Sequence, residues 1–82
     1  MNNEDHEYQP ETNYEYQLRM TEELRKVAYA DPRNGSDRHF SEAVRLEAVG
    51  DTEGAEDARA AGLARYEEIK ASLPWPMPPT QA

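Results

Sequence analysis

The chain has 82 residues, 37% hydrophobic and 32% charged, with a formal net charge of -8 at pH 7; at that length one domain at most is expected, with a thin core. The acidic balance repels phosphate backbones and anionic lipid, which argues against nucleic-acid and membrane-surface partners and for a protein partner with a basic surface. The absence of cysteine excludes disulfides, thiolate nucleophiles and cysteine zinc sites, and is compatible with a reducing compartment.

Residues 1–14 hold Glu4, Asp5, Glu7 and Glu11 without a Lys or Arg, and their bulky apolar groups are Met1, Tyr8 and Tyr14. Such a stretch cannot offset its own ordering entropy, so it reads as an acidic, flexible arm. Tyr8 and Tyr14 are its candidate partner-binding residues; the alternative is a solvated tail with no role. The stretch from Met1 to Pro10 lacks the basic and apolar regions of a secretory signal, and no later run reaches membrane-spanning length, so a soluble protein is expected.

A helical pattern begins at Glu15 and runs to Ala30, with Tyr16, Met20, Leu24 and Val27 on one stripe at steps of four, four and three. Glu15 with Arg19, Arg19 with Glu23, and Glu22 with Lys26 stand at spacings that support it. Asp31-Pro32-Arg33-Asn34-Gly35 stops it, because proline disfavours helical geometry in the residue before it. The stripe can pack on the rest of the chain or on a second copy, and either buries comparable area.

Ser36 or Asp37 is suited to cap a second helix to about Val49, with Phe40, Ala43, Val44 and Glu47 on one stripe, and Gly50 closes it. Asp51 or Thr52 is suited to cap a third, from about Glu53 to Leu73, in which Arg59, Gly62, Tyr66, Ile69 and Leu73 recur at helical steps. The link between these two helices is too short for anything but a tight reversal, which predicts an antiparallel hairpin over 37–73. Its expected core is Phe40, Val44, Leu63, Tyr66, Ile69 and Leu73. Ala58 and Gly62 leave a shallow groove for close approach, best filled from the second helix of the same chain. The predicted fold class is therefore all-α: a helical hairpin plus an amino-terminal helix over residues 15–73, with flexible or extended termini.

Pro74 ends the third helix, and the alternating prolines to Pro79 favour an extended polyproline II tail over 74–82. Trp75, Pro76 and Met77 are candidate partner-binding residues, with Trp75 either held out or folded back over the hairpin as a core cap.

No reactive constellation emerges. His6 and His39 lack neighbours at ligand spacing, so no metal is expected. Glu22-Glu23 and Glu67-Glu68 read as solvated helix faces, since paired catalytic carboxylates need a dry cleft. Gly50, Gly54 and Gly62 form no phosphate-cradling loop, so no cofactor and no enzymatic activity are expected. The hairpin is also similar to one tetratricopeptide unit, but a single such repeat cannot bury its faces.

The stretch Gly35-Ser36-Asp37-Arg38-His39-Phe40, followed after a helical spacer by Arg65-Tyr66-Glu67-Glu68-Ile69-Lys70 and then Pro74-Trp75-Pro76, resembles a pattern in small proteins and protein tails of tailed bacteriophages. That resemblance spans residues 35–76 and leaves the acidic arm and first helix outside it. It implies a virion or tail-associated accessory role without catalysis, in several copies per particle, bound to larger virion subunits, and located in the virion or in the host cytoplasm during infection. Two other roles fit the composition: a phage-encoded inhibitor acting as an acidic nucleic-acid mimic, and an assembly chaperone absent from the finished particle. Against the mimic, Arg19, Arg25, Lys26, Arg38, Arg45, Arg59, Arg65 and Lys70 are interspersed with the acids.

Overall fold

Three helices form where the sequence supplies caps and breaks, and the structure, a computed structural model, describes residues 10–79. Helix α1 is Asn13–Ala30. Its start is a capping box: the Thr12 hydroxyl accepts from the Glu15 N–H at 3.0 Å, and the Glu15 carboxylate accepts from the Thr12 N–H at 2.9 Å. The helix thus begins two residues before Glu15, where the sequence reading began it, and takes Asn13 and Tyr14 out of the arm. Tyr8 and the other residues of 1–9 lie outside the described residues.

Asp31, with φ -56 and ψ 122, leaves helical geometry ahead of Pro32 and ends α1. Its carboxylate accepts from the N–H groups of Asn34 at 2.9 Å and Arg33 at 2.8 Å, and its carbonyl accepts from the Gly35 N–H at 2.9 Å. Those N–H donors, Asn34 first and then Arg33, hold the Asp31 carboxyl below its ordinary range. Gly35 is pressed against the end of α1, where a Cβ would come within 2.6 Å of the Asp31 carbonyl oxygen and 2.8 Å of that of Ala28.

Helix α2 is Asp37–Ala48, with Ser36 at the N-cap position. The side-chain cap expected from Ser36 or Asp37 is not made. Ser36 has helical φ -83 and ψ -28, whereas a capping serine needs extended backbone to turn its oxygen onto the N–H groups ahead. Its hydroxyl is buried without a hydrogen-bond partner among the described residues. Helix α2 closes in a Schellman arrangement: the Gly50 N–H donates to the Glu47 carbonyl at 3.0 Å, the Asp51 N–H donates to the Leu46 carbonyl at 2.9 Å, and Gly50 has φ 85. One residue later Asp51 caps α3, Thr52–Ser72, accepting from the Gly54 N–H at 2.9 Å.

Helices α2 and α3 make the most extensive pairing of the fold, and α1 meets them more sparsely. The pairing is antiparallel: Glu47 meets Arg59 at 2.8 Å, while Phe40, earlier on α2, meets Gly62, later on α3. The core is small. Ala43, Ala55 and Ile69 are buried, and a Cβ on Gly62 would stand 2.8 Å from Phe40 Cε1 and 3.1 Å from His39 Cβ. Small residues thus let the helices approach closely, with α2 filling the Gly62 groove as expected.

The hairpin core departs from expectation at two positions. Ile69 is buried and Phe40, Tyr66 and Leu73 are half-buried, but Val44 is 69% exposed and Leu63 54% exposed. On α2 the closest contact falls on Ala43 and Phe40, which rotates Val44 to the flank. On α3 Gly62 takes the contact, and Leu63, one residue on, is turned about 100° away.

The stripe expected to carry α1 also faces outward. Tyr16 is 47% exposed, Leu24 50% and Val27 67%, with Met20 half-buried. The inward face is a second helical series, in which Tyr14, Leu18, Thr21, Ala28 and Tyr29 are half-buried and Arg25 is buried. Of the ion pairs expected along α1, Lys26 with Glu22 forms, at 3.9 Å, together with Lys26 and Glu23 at 3.7 Å. Arg19 pairs instead with Glu11 at 2.9 Å, and Glu15 is occupied in the capping box.

Candidate interaction surface

The tie between α1 and the hairpin is Arg25, 8% exposed. Helix α3 ends at Ser72 because Pro74 cannot continue it, leaving carbonyls at its C-terminus that need donors. Arg25 Nε donates to the Leu73 carbonyl at 2.8 Å and its Nη2 donates to the Lys70 carbonyl at 3.3 Å. A cation at the negative end of the helix dipole is favourable, and the planar guanidinium suits two carbonyls at once. Pro74 then turns the chain so that the Trp75 ring lies against the same guanidinium, its centroid 4.3 Å from Arg25 Cζ.

An aromatic and cationic belt continues from this clasp. The Tyr29 and Tyr66 rings are 5.0 Å apart and tilted by 31°, and Lys70 Nζ is 4.7 Å from the Tyr66 centroid. Tyr29 comes from the last turns of α1 and Tyr66 from α3, so the belt closes one side of the junction. Lys70 is held from its other side by Glu67 at 3.4 Å.

Of the sequence-predicted partner-binding residues, Trp75 folds back onto Arg25 and remains 51% exposed, Pro76 and Tyr14 are half-buried, and Met77 is 84% exposed. The structure therefore brings Trp75 to the α1–α3 junction and leaves Met77 in solvent. Sequence reading missed Arg25 and Tyr29 as the residues that make this junction. A signal existed: Tyr14, Leu18, Thr21, Arg25 and Ala28 are spaced four, three, four and three, with a charged residue in the series.

The remaining surface has two apolar faces. One is the outer stripe of α1, Tyr16, Met20, Leu24 and Val27. The other is the hairpin flank, where Val44 and Leu63 lie beside the Phe40–Gly62 contact, with Val49, 76% exposed, nearer the reversal. Between them the charges are interleaved: Arg45 pairs with Glu42, Arg59 with Glu47 at 2.8 Å and Arg65 with Glu68 at 3.1 Å. The hydrogen bond and charge of Arg19 hold the Glu11 carboxyl below its ordinary range.

Among the described residues there is no ligand-sized cavity, no group of three His, Asp or Glu placed to hold a metal ion, and no helix long and apolar enough to cross a membrane. What the arrangement offers chemically is apolar and aromatic contact area on a rigid helical frame. Comparison with protein-family models, curated proteins and solved structures gave no match for this chain.

Proposed function

We propose that this chain is a non-enzymatic structural adaptor of a bacteriophage particle, at the head–tail junction or the tail, that binds larger virion subunits through its helical hairpin and extended termini. The observation that supports an adaptor is the distribution of large apolar side chains. Ile69 is the only one buried among the described residues, while Tyr16, Leu24, Val27, Val44, Val49, Leu63, Trp75 and Met77 are exposed. Scattered exposed apolar residues are ordinary, but contiguous series on two helical faces mark contact surfaces. The phage setting rests on the resemblance over residues 35–76.

Mass spectrometry of purified particles, counting this chain against a known structural subunit, tests the proposal. A fixed stoichiometric copy number is expected, with loss of incorporation for Trp75→Ala. Absence from particles while the chain is abundant in infected cells would overturn it in favour of an assembly chaperone or an inhibitor of a host protein. Incorporation of Trp75→Ala at the wild-type level would remove the tail from the binding surface and leave the helical faces.

A further inference from the structure

We infer that the outer stripe of α1 is a self-association surface, which pairs with α1 of a second copy in antiparallel orientation. The stripe of Tyr16, Met20, Leu24 and Val27 faces away from the hairpin, since the opposite face of α1 carries Arg25 and its half-buried neighbours. Among the described residues Leu24 and Val27 stay 50% and 67% exposed. Steps of four, four and three keep these side chains on one helical face, which can pack against a second helix.

Charge selects the occupant. The whole chain carries -8, which opposes most contacts between copies. Helix α1 is the least unbalanced part: apart from Arg25, which is buried on its opposite face, the acids Glu15, Glu22 and Glu23 stand against the bases Arg19 and Lys26. Two α1 helices therefore meet with far less repulsion than the charge of the whole chain implies.

Charge also selects the orientation. One edge of the stripe carries Arg19, Glu23 and Lys26, and the other carries Gln17, Thr21 and Ala28. In an antiparallel pair the same edges of the two copies face each other. A two-fold axis between Met20 and Leu24 then stacks Met20 of each copy on Leu24 of the other and brings Arg19 of each within reach of Glu23 of the other. In a parallel pair the charged edge faces the uncharged one and no such pairs form. Within one copy Arg19 is held by Glu11 and Glu23 by Lys26, but these are exposed pairs of small energetic value, so exchanging them across the axis costs little. An 18-residue helix is about 27 Å long, which places the contact at the small end of specific interfaces and predicts a dissociation constant on the order of micromolar or weaker.

Sedimentation velocity of the full chain from about 5 µM to about 500 µM tests association. A monomer–dimer equilibrium is expected, abolished by Leu24→Glu with helical content unchanged by circular dichroism; a monomer throughout, or a dimer indifferent to Leu24→Glu, would overturn the inference. Orientation is read by cross-linking, which the absence of native cysteine makes clean. A mixture of Tyr16→Cys and Val27→Cys chains is expected to form disulfides faster than either variant by itself, whereas faster homotypic cross-linking would overturn the antiparallel register. The equilibrium is read on the purified chain and incorporation on the particle, so a failure of self-association would leave the adaptor proposal standing, and an absence from particles would leave the self-association standing.

Discussion

Removing the Arg25 side chain is the sharpest perturbation of this fold. Arg25→Ala deletes a 2.8 Å and a 3.3 Å hydrogen bond to the carbonyls at the end of α3, a cation at the negative end of that helix, and the platform beneath Trp75. Hydrogen bonds from a charged donor are worth about 1.5–3 kcal/mol, a cation at a partly buried helix C-terminus up to about 2 kcal/mol, and the cation–π contact about 0.5–2 kcal/mol. These contributions overlap, and water can reach the freed carbonyls at a half-exposed helix end, so the net loss should be about 2–3 kcal/mol. A core this small supplies roughly 3–5 kcal/mol in total, so the variant should be at the edge of folding, with α1 released from the hairpin. Urea unfolding followed by far-ultraviolet circular dichroism measures the loss. Fluorescence of Trp75, the one tryptophan of the chain, reports the clasp directly and should shift to the red in Arg25→Ala. Arg25→Lys keeps the charge but not the planar fork, and should fall between the two. A loss below about 0.5 kcal/mol, the range of ordinary surface substitutions, together with unchanged Trp75 emission would refute the assignment of Arg25 as the tie between α1 and α3.

Gly62→Ala should destabilise by up to about 2 kcal/mol in urea unfolding, because a Cβ 2.8 Å from Phe40 Cε1 and 3.1 Å from His39 Cβ makes the Phe40 ring or α2 shift, at a cost that offsets a gain of about 1 kcal/mol in helix propensity; a more stable variant would mean that the α2–α3 approach is looser than described. Val44→Ser and Leu63→Ser should each change stability by no more than about 0.5 kcal/mol, as expected of exposed positions, and a loss of about 2 kcal/mol at either would restore it to the core. The Asp31 carboxyl is depressed in the folded state by the Asn34 and Arg33 N–H groups, so its stabilising contribution is present above the ordinary carboxylate range and fades as the pH falls through the lowered folded value. Asp31→Asn, which keeps an acceptor oxygen but does not titrate, should therefore flatten the acid limb of the stability–pH profile, and an unchanged limb would remove Asp31 from the account.

Much of the helical architecture was legible because breaks and caps are local chemistry. Pro32 and Pro74 end helices wherever they stand, Gly50 supplies the left-handed residue of the reversal, and Asp51 three residues ahead of Gly54 makes a cap. The first helix began earlier than read because Thr12 and Glu15 form a capping box, a signal present in the chain but passed over. Ser36 had the right residue type for a cap and the wrong backbone, and backbone conformation at a corner is set by how Gly35 is pressed onto the end of α1.

Which face of each helix turns inward was not legible in the same way. Helix α1 carries two series at helical spacing, and the more apolar one, with Leu24 and Val27, lies outside. The inner series wins because Arg25 meets the unpaired carbonyls of α3 and Tyr29 meets Tyr66, partners that lie 48 and 37 residues further along the chain. Val44 and Leu63 are exposed for a related reason: the tightest approach of α2 to α3 runs through Ala43, Phe40 and Gly62, and one residue along a helix is a turn of about 100°. The sequence by itself determined where helices start and stop, since those signals act within a few residues. The tertiary structure decided which stripe is core and which is left for partners, because that choice rests on long-range polar and close-packing contacts that local periodicity does not encode.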